Sequence, residues 1–401
     1  MSAVLGRMLL SFALCAALSA CGSDNGPADP APAQAPAPAP VVKAPDPVAS
    51  PVVLTGVQEV PAVATAANGK GTLTLDRSTG ALTGSVTLDG IQATMAHIHD
   101  GAAGSNGAVI VPLAETAPGV WSVPDKTVLT AAQMTSFEGG TLYVNAHSTA
   151  NPGGEIRAQI GREVYYAEIN GKQQVPGNES AATGTGIAVL DPATRTLTGG
   201  ITLAGISPTA AHIHTGAAGT NGGVSVNLAQ SATAADRWEI PAGTVLTEAQ
   251  LASLRAGGLY FNAHTTANPG GEVRGQIGRL VRTATLNGGH EVPATTSTGS
   301  GTGLLVVDPA TRAASGGITF SGVTPTMAHI HLAPLGVNGP VIVPLAAGDT
   351  ASSYKVPDNT VLTADQMDAF LKNNLYYNVH SAAFPGGELR GQIDNDAHHA
   401  H

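Results

Sequence analysis

Residues 184–205 read GTGIAVLDPATRTLTGGITLAG, and this stretch decides the fold class. Apolar residues alternate with small or polar residues along both halves, as expected of two strands that each bury one face. The Asp-Pro pair between the halves and the glycines around them are turn signals. Similar turn signals return about every 8 to 12 residues through the chain, which is typical of an all-β sandwich or barrel.

Three landmarks recur in the same order along the chain, which indicates an internal repeat. They are GVQEVPA at 56–62, repeated at 171–177 and 288–294; AHIHDGAAGSNG at 96–107, repeated at 211–222 and, altered, at 328–339; and LYVNAHSTANPGGEIRAQIG at 142–161, repeated at 259–278 and 375–393. A unit of roughly 115 residues is long enough to bury its own core. We therefore predict three tandem domains, at 51–162, 163–280 and 281–394.

One short helix is predicted in each domain. Thr130 and Gln133 have the spacing of a capping box, in which a hydroxyl and a side-chain amide satisfy the first free backbone groups of a helix. The same spacing returns at Thr247–Gln250 and Thr363–Gln366. Met134 and Phe137 follow the first box and give that helix an apolar side.

Histidines are concentrated in two of the landmarks. Side chains alternate along a strand, so His97 and His99 are predicted to share one face. His147 is predicted on a second strand, where it supplies a third imidazole. The resulting groups are His97, His99 and His147; His212, His214 and His264; and His329, His331 and His380. With no cysteine after Cys21, such groups favour copper or zinc as the bound metal. The alternative is a set of structural histidines, copied when the domain was copied.

The PGGE motif that follows the third histidine adds a carboxylate and an arginine. We favour Glu155 and Arg157 as an intradomain ion pair or a backbone clamp that fixes the turn. The alternative is a carboxylate that orients a metal-binding imidazole, a role that Asn145 is also placed to fill. The equivalent candidates are Glu272, Glu388, Asn262 and Asn378.

The first fifty residues predict export. Arg7 precedes an apolar run that is too short to span a bilayer. The run ends in Leu18-Ser19-Ala20-Cys21, which resembles a bacterial lipobox with Cys21 as the lipidated residue. An ordinary signal peptide cut near Ala20 is the alternative. With 1–21 as the signal peptide, the Pro/Ala-rich residues 22–50 form an extended tether. We expect a lipid-anchored protein in the cell envelope of a bacterium, with a weakly metal-binding His-rich tail at 395–401.

Several functional classes do not fit the composition. The net charge is -10 and no basic patch is present, which argues against binding to nucleic acid. No Ser-His-Asp set is evident, and the glycine-rich turn precedes a strand instead of the helix that phosphate binding uses. We therefore predict no enzyme, with redox activity on bound copper as a distant alternative. A metal ion is the predicted partner.

The landmarks together resemble the CHRD domain, first described in the animal morphogen antagonist chordin and widespread in bacterial secreted proteins. The resemblance extends three times over about residues 51–394 and departs at Leu332–Leu335 in the third copy, which puts that site in question. It implies an immunoglobulin-like β-sandwich, similar at the level of fold to Cu,Zn superoxide dismutase. The main hypothesis is an envelope-anchored copper- or zinc-binding protein. The alternative is a structural, adhesive or protein-interaction module.

Overall fold

The structure, a computed structural model, describes residues 47–395. The predicted signal peptide with its lipobox, most of the predicted tether and the tail after residue 395 lie outside the described residues. Within them, each of three successive domains forms one nine-stranded antiparallel sheet with one short α-helix. The all-β prediction of three tandem domains is confirmed.

Domain 1 begins within the last residues of the stretch predicted as tether. Its elements are β1 (Val48–Thr55), β2 (Asn68–Leu75), β3 (Leu82–Asp89), β4 (Ala93–Asp100), β5 (Ala108–Pro112), β6 (Ala114–Ala117), β7 (Val120–Ser122), α1 (Ala131–Gly139), β8 (Leu142–Ser148) and β9 (Ile156–Gln159). The strand order in the sheet is β5-β4-β8-β9-β1-β2-β3-β7-β6.

Domains 2 and 3 repeat this order of strands in their sheets. Domain 2 contains β10 (Glu163–Asn170), β11 (Thr183–Leu190), β12 (Leu197–Ala204), β13 (Ala210–Thr215), β14 (Val224–Asn227), β15 (Ala229–Gln230), β16 (Arg237–Glu239), α2 (Glu248–Ala256), β17 (Leu259–His264) and β18 (Val273–Gln276). Domain 3 contains β19 (Leu280–Asn287), β20 (Ser300–Val307), β21 (Ala314–Ser321), β22 (Pro325–Leu332), β23 (Val341–Pro344), β24 (Ala346–Ala347), β25 (Ser353–Lys355), α3 (Ala364–Leu371), β26 (Leu375–Ser381) and β27 (Leu389–Ile393).

Each sheet folds into two facing layers. Strands β1 and β9 are joined by a single residue pair, Thr55 with Arg157, so the sheet divides there into a four-stranded and a five-stranded layer. The layers meet closely. In domain 2 a Cβ added to Gly186 on β11 would lie 2.6 Å from the ring of Phe261 on β17. The fold is therefore sandwich-like, with its core between the layers.

The core occupies one face of the four-stranded layer and leaves the other face for the histidines. Ile98 on β4 and Val144 on β8 are fully buried in the core of domain 1. Because side chains alternate, His97 and His99 point away from that core. They are still half-buried or buried, since the loops after β4 and β8 cover this outer face.

The three helices begin where the sequence predicts. Thr130 Oγ1 accepts a hydrogen bond from the Gln133 N–H, and Gln133 Oε1 accepts one from the Thr130 N–H at 2.9 Å. Both other domains form the same capping box. Phe137 packs the first helix into the core and is 1% exposed. No helix within residues 47–395 is long and apolar enough to cross a membrane.

Successive domains follow one another without a linker, since β10 begins at the residue after Arg162. The Arg162 guanidinium donates to the Gly139 carbonyl at the end of α1 (2.9 Å) and lies 3.3 Å from the Asp191 carboxylate of domain 2. Arg279 forms the equivalent pair with Asp308, at 3.1 Å. Every sheet nevertheless pairs only strands of its own domain.

Candidate metal centre

The histidine groups lie where β4 and β8 run side by side. Register pairs His99 with Tyr143, His97 with Asn145 and Met95 with His147, so His147 is diagonal to His97 on the same face. The same strands and pairings carry the histidines of domains 2 and 3.

Each domain brings together three imidazoles that could hold a metal ion. One nitrogen from each ring lies within 4.8 Å of the other two. In domain 1, His97 Nδ1 and His147 Nε2 are 3.2 Å apart. The equivalent separations are 3.1 Å in domain 2 and 3.2 Å in domain 3.

Backbone carbonyls orient two of the three rings. His99 Nδ1 donates to the Gly107 carbonyl at 3.0 Å, and His147 Nδ1 donates to the Pro152 carbonyl at 3.0 Å. A carbonyl oxygen can only accept, so both rings carry their proton on Nδ1 and keep a lone pair on Nε2. In His99 this Nε2 is buried and has no hydrogen-bond partner among the described residues. His214 and His331 repeat the feature. A bound cation would satisfy such a nitrogen.

The glycine-rich loop places the Gly107 carbonyl against His99 Nδ1. A Cβ at this position would lie 1.7 Å from the Asp100 carbonyl oxygen, and the equivalent glycines, Gly222 and Gly339, have contacts as close. No side chain fits there. Asn106 donates to the Val60 carbonyl at 2.8 Å, which ties the loop to the GVQEVPA landmark. The three sequence landmarks therefore meet at one site.

Arg157 also holds the glycine-rich loop in place. Arg157 is 1% exposed, and its guanidinium stacks 3.5 Å from the ring centre of Tyr143 and donates to the Ala102 carbonyl at 3.0 Å. Tyr143 in turn stacks on His99, with ring centres 4.7 Å apart. The arginine is thus a backbone clamp, and the salt bridges within residues 47–395 do not include a pair between Arg157 and Glu155.

The polar residues predicted to orient the imidazoles bond elsewhere. The Asn145 amide donates to Glu59 Oε1 at 2.7 Å. Glu155 accepts hydrogen bonds from Ser148 and, at 2.8 Å, from Thr65. Their counterparts are Asn262, which accepts from Gln174 at 2.7 Å, Asn378, which donates to Glu291, and Glu272 and Glu388, which accept from hydroxyls. The carbonyls of Gly107 and Pro152 hold the rings instead.

Glu59 is a site residue that the sequence analysis missed. It is 5% exposed, and burial raises its pKa to about 7 even though the nearby Arg157 guanidinium lowers it. Glu291 in domain 3 behaves alike, with a pKa of about 7. Domain 2 has the neutral amide of Gln174 at this position. The sequence did carry a sign of this role: the GVQEVPA landmark has Glu at this position in two copies and Gln in the other.

Burial also sets the charge state of the imidazoles. It lowers the pKa of His97, His99 and His147, and the neighbouring imidazoles lower that of His97 further. Burial has the same effect on the pKa of His212, His214, His329 and His331. The neutral ring is the form that binds metal, so burial favours the metal-binding form of these seven imidazoles.

The altered loop of domain 3 leaves its histidine group intact. His331 Nδ1 donates to the Gly339 carbonyl at 2.9 Å, and the Arg390 guanidinium still reaches the Val337 carbonyl at 2.9 Å. Leu332–Leu335 therefore changes the surface of the loop without moving the carbonyl that orients the ring.

Comparison of the chain with models of protein families identifies the family of all three domains. The CHRD domain model matches residues 50–160, 165–277 and 282–393. The chain belongs to the CHRD family. Each matched CHRD domain coincides with one nine-stranded sheet and one histidine group. Neither the curated proteins nor the solved structures compared with the chain gave a match.

Proposed function

We propose that each CHRD domain of this chain binds one copper or zinc ion through its three imidazoles. The chain then acts as a metal-binding protein, anchored in a bacterial cell envelope by a lipid on Cys21. One observation carries the metal part of the proposal. In all three domains a close pair of ring nitrogens lies beside a buried Nε2 that has no partner within residues 47–395.

The separation of the close pair suits two ligands of one ion. Imidazole nitrogens bind zinc at about 2.0–2.1 Å, which places two tetrahedral ligands about 3.3 Å apart. His97 Nδ1 and His147 Nε2 are 3.2 Å apart. The third nitrogen lies within 4.8 Å of both, so it would close by at most about 1.5 Å. Three protein ligands leave a fourth position open for water or another ligand.

Binding by all three rings requires a change of tautomer at His97. The Nε2 of His147 holds a lone pair, so without metal His97 donates its Nδ1 proton to it. A metal held between these atoms takes the place of that proton, which moves to His97 Nε2. In the alternative function, a structural or adhesive module, the hydrogen bond between His97 and His147 only stabilises the fold. Its length of 3.2 Å also suits that role.

Titration calorimetry of the full chain, with its tail histidines replaced by alanine, tests the metal site. We expect one Cu(II) or Zn(II) ion per domain. Replacing His212 and His214 together by alanine should remove one equivalent and leave the circular dichroism spectrum unchanged. Nitrogen-15 NMR should show the His97 proton on Nδ1 without metal and on Nε2 with it. Absence of binding in the chain without tail histidines would favour the structural module.

The anchor is tested separately. Cys21→Ser removes the thiol that a lipoprotein acylates, so the protein should move from the membrane fraction to the soluble fraction. An ordinary signal peptide predicts the same distribution for both proteins. The two experiments are independent, because the histidine groups lie in the domains and Cys21 precedes them.

A further inference from the structure

Two of the three histidine groups have an exposed methionine beside them. Met95 lies two residues before His97 on the same face of β4 and pairs directly with His147 across the strands. Met327 has the same relation to His329 and His380 in domain 3. In domain 2 the equivalent residue is Ala210, which pairs with His264.

Core packing does not account for these two methionines. Met95 is 45% exposed and Met327 is 48% exposed. The other two methionines within residues 47–395, Met134 and Met367, belong to helices and pack against the cores of domains 1 and 3. Methionine is among the residues most often buried, so an exposed one that recurs at the same place in two copies calls for a different role.

Met95 is close enough to share the metal of its neighbours. Directly paired residues of an antiparallel sheet have Cβ atoms about 4.5–5.5 Å apart. The methionine side chain is unbranched and has three rotatable bonds, so its sulfur can swing over the facing imidazole. That imidazole belongs to His147, whose Nε2 lies 3.2 Å from His97 Nδ1. The pairing therefore brings the thioether within reach of the close nitrogen pair.

We propose that Met95 and Met327 supply a thioether as the fourth ligand of the metal in domains 1 and 3. This inference rests on the proposed function. Soft thioether ligands favour Cu(I), whereas protein zinc sites use thiolate, imidazole and carboxylate ligands. Domains 1 and 3 are then Cu(I) sites with three nitrogens and one sulfur. Domain 2, with Ala210, is a three-nitrogen site without that preference, so one chain carries two classes of site.

The test compares Cu(I) and Zn(II) binding to the full chain with its tail histidines replaced by alanine. Under anaerobic conditions, competition with a chromophoric Cu(I) chelator should resolve two tight sites and one weaker site. Groups around a metal ligand change affinity about 10- to 100-fold, so we expect the two classes to differ at least about tenfold. X-ray absorption should detect sulfur at the bound copper.

Matched variants test whether the thioethers of Met95 and Met327 bind the copper. Met95→Leu with Met327→Leu keeps the size and polarity of both side chains, and should reduce all three sites to the weaker class. Ala210→Met should convert the weaker site to the tight class. Zn(II) affinity should stay the same in every variant. Three Cu(I) sites of one affinity, insensitive to these changes, would overturn the thioether role and leave the metal site of the proposed function standing. No binding of Cu(I), Cu(II) or Zn(II) would overturn both.

Discussion

Glu59→Gln should stabilise domain 1 at alkaline pH and have little effect in acid. Glu59 is 5% exposed, and burial raises the pKa of its carboxyl from 4.5 to about 7. A pKa that is higher in the folded chain gives stability that is present below 4.5 and lost as pH rises through about 7. Glutamine cannot ionise and keeps the same shape, as Gln174 shows in domain 2.

The size of the effect follows from the two pKa values. At about 1.4 kcal/mol per pH unit, the difference between 4.5 and about 7 corresponds to roughly 3 kcal/mol for a rigid site. Rearrangement of Asn145, which donates to Glu59, will absorb part of this. We therefore expect the variant to gain about 1 to 3 kcal/mol of unfolding free energy at pH 8, and much less near pH 4.5.

Tryptophan fluorescence can report each domain separately. The chain has two tryptophans, and Trp121 lies in the core of domain 1 while Trp238 lies in that of domain 2. In a Trp238→Phe background, urea unfolding at pH 4.5 and pH 8 measures domain 1 alone. The reverse variant, Gln174→Glu with Trp121→Phe, should destabilise domain 2 at pH 8 by a similar amount. Equal effects of Glu59→Gln at both pH values would refute the reasoning.

Two further predictions concern the architecture. The excised residues 163–280 should unfold in one cooperative thermal transition, because the domain 2 sheet pairs only its own strands; a disordered circular dichroism spectrum would show that the domains need one another. Gly222→Ala should destabilise domain 2 by more than about 1 kcal/mol and remove one metal equivalent, because its Cβ would lie 1.5 Å from the Thr215 carbonyl oxygen. If calorimetry still gave the same number of metal ions per chain in that variant, the loop would not be needed for metal binding.

Local chemistry explains which parts of the fold the sequence predicts. A capping box involves residues three apart, so Thr130 and Gln133 reveal the start of α1 without reference to the remaining chain. Strand alternation is equally local and separates His97 from Ile98. The order of strands is not local. The pair that joins the two layers, Thr55 with Arg157, lies at opposite ends of the domain sequence, and no short-range pattern encodes it.

The same distinction applies to the site. The histidine groups are recognisable because their spacing on a strand repeats three times. Their supports are not, since backbone carbonyls carry no sequence signature. The Gly107 carbonyl that orients His99 is visible in the sequence only as a glycine that never changes among the three copies. Glu59 lies 86 residues from Asn145, so its contact with the site appears only in the folded chain.

Duplication makes domain 2 an internal control for the other two. It shares the three imidazoles and the orienting carbonyls, and yet it differs at two positions beside them, Gln174 and Ala210. One change removes a buried carboxyl, which in domain 1 accepts a hydrogen bond from Asn145, and the other removes an exposed thioether, which in domain 1 is paired with His147. If the histidines only packed, neither difference would alter metal binding. The pH dependence of stability should set domain 2 apart in either case, because Gln174 replaces the buried carboxyl of Glu59. Only if the histidines bind metal should domain 2 also differ from its neighbours in its preference for Cu(I).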